Sequence, residues 1–258
     1  MSEHHVPVML KESLDLLITD QSGVYFDATL GFGGHSSEIL KRLNSEGRLV
    51  AADVDTDALS FSQNKFADKS GVSLYNFNYS FIDVIAKIES IQNYDGVLAD
   101  LGVSSFQLDN PDSGFTYRSD AFLDLRMDKT KKVTAADIIN TFTEEDLANV
   151  FYQYGEEKNS RRISRTIVEK RAAKKIETTG QLVSIINELV PQNFQRKTLS
   201  RIFQALRIYV NDELGSLKLF LENSLNVLKK GGHIVVISYH SLEDRIVKDF
   251  FKAETIVN

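Results

Sequence analysis

Four short apolar runs in the first hundred residues each give way to a turn or a helical pattern, and this alternation restricts the fold more than any other feature of the chain. GVYFDAT (23–29) reads as a buried strand and GHSSEILKRL (34–43) as the helix after it. GRLVAADV (47–54) is a second strand, followed by a helix over TDALSFSQNKF (56–66) with Asp55 or Thr56 as its cap. VSLYNF (72–77) and FIDVIAKIES (81–90) repeat the pair, and YDGVLADLG (94–102) reads as a fourth, central strand. Such a pattern predicts an α/β fold, a parallel sheet with helices on both faces.

The alternation then stops. Residues 103–118, VSSFQLDNPDSGFTYR, are rich in turn formers and read as a long loop. Helices are expected over 134–140, over 143–155 with Thr143 and Asp146 as a capping box, over 158–175, over 178–191 up to a proline, and over 196–214. Alternation returns after residue 217 as helix, Gly-Gly turn, strand (233–238) and a helix from Ser241. The expected organisation is one discontinuous α/β domain, residues 1–117 plus 200–258, interrupted by an all-helical insertion over 118–199.

Composition excludes several classes. With no cysteine there are no disulfides, thiolate metal sites or cysteine nucleophiles. No run of apolar residues is long enough to span a membrane, and the start MSEHHVPVML lacks a secretory pattern, so the expected location is the cytoplasm. His4 and His5 have no partner ligands at metal-binding spacing, and no metal is expected. Net charge is −6. Between Lys158 and Lys175, however, eight basic residues face a single acid, Glu169, and Arg196, Lys197, Arg201 and Arg207 follow. A basic helix face of that kind suits phosphate contacts or a solvated surface.

The turn after the first strand is Gly31-Phe32-Gly33-Gly34-His35-Ser36. Glycines there let a ligand approach the backbone, next to the open N–H groups of a helix start. A dinucleotide turn wants G-x-G-x-x-G, and the third glycine is out of place here. Asp53, ending the second strand 22 residues after Gly31, can accept both hydroxyls of a ribose. Together these favour S-adenosylmethionine over a dinucleotide. Asp100 closes the fourth strand at the edge where open parallel sheets bind ligands, and it can orient an amino group.

HVPVMLKES, DATLGFGGHS, DLGVSSFQLD, GFTYRSDAFLDLRMD, YGEEKNSRRISRTIVEKR, RIFQALRIYVNDEL and SYHSLEDRIVKDFF together resemble the RsmH/MraW family, in order, over nearly the whole chain. That resemblance implies a Rossmann-like S-adenosylmethionine-dependent methyltransferase acting on N4 of cytidine 1402 in 16S ribosomal RNA of the small subunit. It implies that Gly31, Gly33, Gly34 and His35 line the cofactor with Asp53, and that Asp100 and Gln107 complete its site. Tyr79 would flank the adenine, with Phe77 and Phe81 as neighbouring alternatives.

For the chemistry, the amine of cytosine needs an acceptor for one hydrogen. Asp100 or a carbonyl of the Leu101–Ser105 loop is expected to serve, with His240 and Ser241 facing the substrate. Ser241 and Asp244 also have helix-cap spacing. Ser104, Phe115, Arg126, Arg162, Arg165 and Arg207 are the expected RNA contacts, Phe115 by stacking, as Tyr117 and Phe122 could also do; each aromatic equally suits a core. The helical insertion is then the RNA-recognition domain. Family members usually continue past the last helix, so the fifth strand is expected to leave an uncovered edge. A binding-only protein, a nicotinamide oxidoreductase and a DNA amino-methyltransferase are the rival readings; monomer and homodimer are equally open.

Overall fold

The computed structural model describes residues 7–104, 107–108 and 114–257. His4, His5 and Ser105 lie outside the described residues. The chain forms two compact units, one of residues 1–102 with 214–258 and one of residues 103–213.

The first unit is a five-stranded sheet in the order β3-β2-β1-β4-β5, with every neighbouring pair parallel. In chain order it comprises α1 (Leu10–Leu17), β1 (Val24–Asp27), α2 (Gly34–Arg42), β2 (Arg48–Ala52), α3 (Thr56–Lys65) and β3 (Val72–Tyr75). A 3-10 turn (Tyr79–Phe81) leads into α4 (Ile82–Ile88), and β4 is Tyr94–Asp100. Strand geometry sends successive side chains to opposite faces. Tyr25, Leu49 and Leu98 therefore pack under Leu14, Leu17 and Ile39, while Phe26, Val50, Val97 and Ala99 pack against Ile82, Ile85 and Phe220. Helices cover both faces, as the alternation predicts.

Two local features depart from expectation, and a third settles an open choice. Helix α1 has no counterpart in the strand–helix reading; it lies so close to β4 that a Cβ on Gly96 would sit 2.9 Å from Leu17. The cap of α3 is Asp55, whose carboxylate accepts from the N–H groups of Asp57 and Ala58. The Gly-Gly turn expected before the last strand is inside it: β5 runs Leu228–Ile237, with Gly231 at φ +82° and a register break opposite Tyr94 and Gly96. A glycine in the left-handed region produces the irregularity without ending the strand. Among the described residues β3 and β5 are the two edges.

The second unit is helical: α5 (Ala135–Thr141), α6 (Glu144–Gly155), α7 (Ser160–Ala173), α8 (Thr179–Leu189) and α9 (Gln192–Asn211). Its starts are chemically marked. Thr134 with Asp137 and Thr178 with Gln181 form capping boxes, and Thr143 accepts from the Asp146 N–H. Pro191 opens α9 directly, so the helix starts at residue 192 and not at 196. The unit is also larger than the expected 118–199 insertion. Phe115, Leu123 and Leu125 are buried in its core, and α9 continues unbroken to Asn211. The Asn211 amide donates to the Leu125 carbonyl at 2.8 Å and accepts from the Met127 N–H at 2.8 Å, fastening the segment before α5 to the end of α9. The remaining two helices, α10 (Glu213–Val227) and α11 (Ser241–Val257), flank β5 in sequence. Among the described residues no helix is long and apolar enough to cross a membrane.

Candidate active site

The sheet order reverses between β1 and β4, and the crevice of an open parallel sheet lies at the strand carboxyl ends beside such a reversal. The first unit brings Asp27, the glycine turn, Asp53, Asp100 and Tyr239 to those ends.

Gly33 is the N-cap of α2, at φ +71° and with no side chain to accept from the first turn. A Cβ there would meet the Phe66 ring at 2.7 Å, and one on Gly34 would meet Pro7 at 2.7 Å. Glycine is therefore required at Gly33 on two counts, dihedral and space. The carbonyls of the turn are held from outside. Ser62 Oγ donates to Gly31 at 2.9 Å, and Lys65 Nζ donates to Phe32 and Gly33, each at 3.0 Å.

Asp53 is integral to the same turn. Its Oδ2 accepts from the Gly31 N–H at 2.7 Å and its Oδ1 from the Asp55 N–H at 2.9 Å. Burial outweighs those two donors and pushes its carboxyl up to about 6. Asp27, at the end of β1, is 1% exposed. It accepts from Ser36 Oγ at 2.6 Å and from the Thr29 N–H at 3.1 Å, and burial raises its pKa as well. A carboxylate so enclosed braces the turn against β1 from beneath.

Asp100 is gripped at three points. Its N–H donates to Thr29 Oγ1 at 2.7 Å, and its Oδ1 accepts from the Tyr239 hydroxyl at 2.8 Å. Its Oδ2 lies 3.6 Å from His35 Nδ1, an ion-pair distance longer than a hydrogen bond. His35 is buried at 6% and sits 3.3 Å through Nε2 from the Val8 carbonyl, so it joins the segment before α1 to the β4 acid.

His240 is part of a helix cap. It is the residue before α11, and its Nδ1 accepts from the Glu243 N–H at 3.4 Å. The Glu243 carboxylate reaches back to the N–H groups of Tyr239 (2.9 Å) and His240 (3.4 Å). The cap is thus His240 with Glu243, one residue earlier than Ser241 with Asp244, and Ser241 is the first helical residue. His240 Nε2 is 3.1 Å from Glu243 Oε1, close enough for an ion pair but without a hydrogen bond.

Near the adenine candidates, Tyr79 packs edge-on against Phe220, centroids 5.2 Å apart, within the core. Phe77 and Phe81 are the exposed pair, 6.2 Å apart. The remaining candidates belong to the helical unit. Ser104 and Gln107 engage each other: the Ser104 N–H donates to Gln107 Oε1 at 3.0 Å, and the Gln107 N–H to Ser104 Oγ at 3.2 Å.

Phe115 corrects the stacking expectation, because its ring is 7% exposed inside the helical core. Tyr117 packs on Phe203, and Phe122 is exposed. Arg126 is committed to Asp124 (2.6 and 3.1 Å) and to the carbonyls of Lys129 and Lys131; Arg207 makes a two-pronged pair with Glu213 (2.9 and 3.0 Å). Both are structural forks, in place of the RNA contacts expected of them. Arg162 and Arg165 are exposed on α7, opposite the buried Ile163 and Ile167. Arg165 lies 3.4 Å from Glu144.

Asp27, Thr29 and Tyr239 were not singled out by the sequence reading. An acid ending the apolar run VYFD was the available signal for Asp27; for Tyr239 it was a place beside His240 in the SYHSLEDR stretch.

These elements define a Rossmann-like α/β protein whose crevice is lined by a glycine turn and acids from adjacent strand ends. A model of the MraW methylase family matches residues 2–257, and the chain belongs to that family. The ribosomal RNA small subunit methyltransferase H of Caldicellulosiruptor saccharolyticus is 47% identical over 253 residues, covering 98% of this chain and 82% of its own. The protein of the same description from Bacteroides fragilis (strain ATCC 25285) is 45% identical over 253 residues, 98% of this chain and 82% of its own. That from Fusobacterium nucleatum is 42% identical over 254 residues, 97% and 80% respectively.

Proposed function

We propose that this chain transfers a methyl group from S-adenosylmethionine to N4 of cytidine 1402 in 16S ribosomal RNA of the small subunit. The observation that carries the reading is the single constellation of Gly31, Asp53 and Asp100 at adjacent strand ends, in a chain 42–47% identical to small-subunit rRNA methyltransferases.

The residues present suit the cofactor. The face of Gly31 is open, with only the Thr29 carbonyl 4.0 Å from where a Cβ would sit, the first turn of α2 offers its N–H groups, and both oxygens of Asp53 keep further lone pairs for ribose hydroxyls. Gly31, Gly34 and His35 border the same turn, while Phe77, Tyr79 and Phe81 supply the aromatic neighbourhood after β3. Gln107 is proposed as a further cofactor contact on the family resemblance alone. When bound, adenosylmethionine supplies an electrophilic methyl on a sulfonium.

The chain's own residues do the rest. The cytosine amine is a poor nucleophile because its lone pair is delocalised into the ring. Asp100 would accept a hydrogen bond from the amine and take the proton that the amine must lose on methylation. Holding the partners in line removes up to about 7–11 kcal/mol of barrier in well-oriented systems. The target base must leave its stack, at a cost of a few kcal/mol. Phosphate contacts from the exposed α7 cations, Arg162 and Arg165 among them, offset that cost. His240 and Ser241 are the polar groups proposed to border the base, and Ser104 is proposed as an RNA contact.

Unmodified small ribosomal subunits and duplex DNA, offered together with methyl-labelled cofactor, test the reading. Label in the RNA is expected; label in the DNA, or in neither, contradicts it.

A further inference from the structure

β4 and β5 run together to their tips: Asp100 pairs with Ile237, and the Leu101 N–H donates to the Ile237 carbonyl at 3.0 Å. Two residues beyond, Tyr239 turns its side chain back across the strand ends, and its hydroxyl donates to Asp100 Oδ1 at 2.8 Å. The main chain beneath it is anchored, since the Tyr239 N–H donates at 2.9 Å to the Glu243 carboxylate, itself buried at 2%. The ring passes 3.6 Å from the place a Cβ on Gly102 would occupy, and Gly102 is at φ +93°. The turn after β4 therefore lies alongside this tyrosine at van der Waals distance.

An exposed tyrosine has water available for its hydroxyl. Tyr239 is 55% exposed, yet it directs its one donor at the carboxylate that faces the crevice. Burial and the neighbouring Asp100 raise the phenol above its ordinary value, so it stays a donor across the neutral range. A carboxyl rotates broadly about its last torsion. With Thr29 holding the backbone N–H and Tyr239 holding Oδ1, that rotation is stopped, and Oδ2 is left on the side of His35.

We infer that Tyr239 is a positioning residue for methyl transfer, its hydroxyl fixing the Asp100 carboxyl in the orientation that receives the amine of the target base. The inference rests on the reading of Asp100 as proton acceptor. It assigns the tyrosine no contact with the proton in flight.

Tyr239→Phe removes the hydroxyl and keeps the ring. Methyl transfer to unmodified small subunits, cofactor affinity and melting temperature are measured for this variant, for Asp100→Asn and for the parent. The expected result is a fall in kcat of about tenfold for Tyr239→Phe, a part of the roughly 10²–10⁴-fold that a positioned acid or base contributes. KM for subunits, cofactor affinity and melting temperature stay at parental values. Parental kcat in Tyr239→Phe overturns the inference, as does a loss confined to KM, which would make the hydroxyl an RNA contact. A lower melting temperature with unchanged kcat per folded molecule also overturns it, making the bond merely structural. Asp100→Asn separates the two levels. Full transfer by that variant removes the acceptor reading and this inference with it, whereas an inactive Asp100→Asn beside a fully active Tyr239→Phe removes Tyr239 alone.

Discussion

The N–H of Gly31 donates to Oδ2 of Asp53 at 2.7 Å, so the turn after β1 and the acid after β2 are one piece of structure. The acid that would receive ribose hydroxyls is the same group that shapes the turn. Its titration therefore affects both ligand binding and stability.

Asp53 has a pKa of about 6 in the fold, above its ordinary 3.8, chiefly because of burial. An acid raised in this way stabilises the fold most below its unfolded pKa, and that contribution is lost as pH rises through the folded one. Relative to Asp53→Asn, the parent is then most stable below about pH 4 and has lost that advantage by about pH 7. Urea unfolding of both proteins across that range checks the sign. Cofactor affinity has the opposite trend, since hydroxyls donate best to the carboxylate. Calorimetry finding equal affinity at pH 5 and pH 7.5 would rule this out.

Gly33→Ala and Gly231→Ala separate crowding from dihedral strain. Both glycines have positive φ, but a Cβ on Gly231 meets nothing within 4 Å, while one on Gly33 meets Phe66 at 2.7 Å. Thermal unfolding is expected to show a loss of about 1 kcal/mol for Gly231→Ala and about 2–4 kcal/mol for Gly33→Ala, strain plus overpacking. Equal losses would mean that the contact with Phe66 is easily relieved.

Phe115→Ala is expected to cost about 3–5 kcal/mol of stability, the usual range for a buried phenylalanine. Denaturant unfolding checks it. A loss under about 0.5 kcal/mol, typical of a surface site, would restore the stacking role.

Arg162→Glu with Arg165→Glu should leave stability within about 0.5 kcal/mol, since both side chains are exposed. RNA affinity should fall, with a salt-dependence slope shallower by about 1–2. Arg171 is the contrast on the same helix. It donates to the carbonyls of Ile139 and Phe142 at the end of α5, so Arg171→Ala lowers the melting temperature and leaves the salt slope alone. Filter binding at several salt concentrations tells the two apart; unchanged slopes in the double variant would remove α7 from the interface.

The legible parts of the molecule were those governed by local pattern. β1, β2 and β4 are apolar runs with turn signals after them, and Asp53 and Asp100 were identifiable because each ends such a run. Thr143 announced its helix through its own spacing to Asp146. What pattern could not convey was three-dimensional. Phe115 has the same composition-level signature whether it lines a crevice or a core, and only the packing of Leu123 and Leu125 beside it decides. His240 stands out as a histidine at a strand end, but that it caps the next helix with Glu243 was not legible. Tyr239 escaped notice because its partner is 139 residues away. Arg126 and Arg207 read as free cations until their acids, Asp124 and Glu213, were seen in fork geometry.

The most direct test of the account is the identity of the methylated nucleoside. Small subunits lacking the modification are incubated with the protein and methyl-labelled adenosylmethionine, and their RNA is then digested and mapped. The account predicts label in N4-methylcytidine at position 1402. Label in 5-methylcytidine, in another base, or in no nucleoside at all would contradict it.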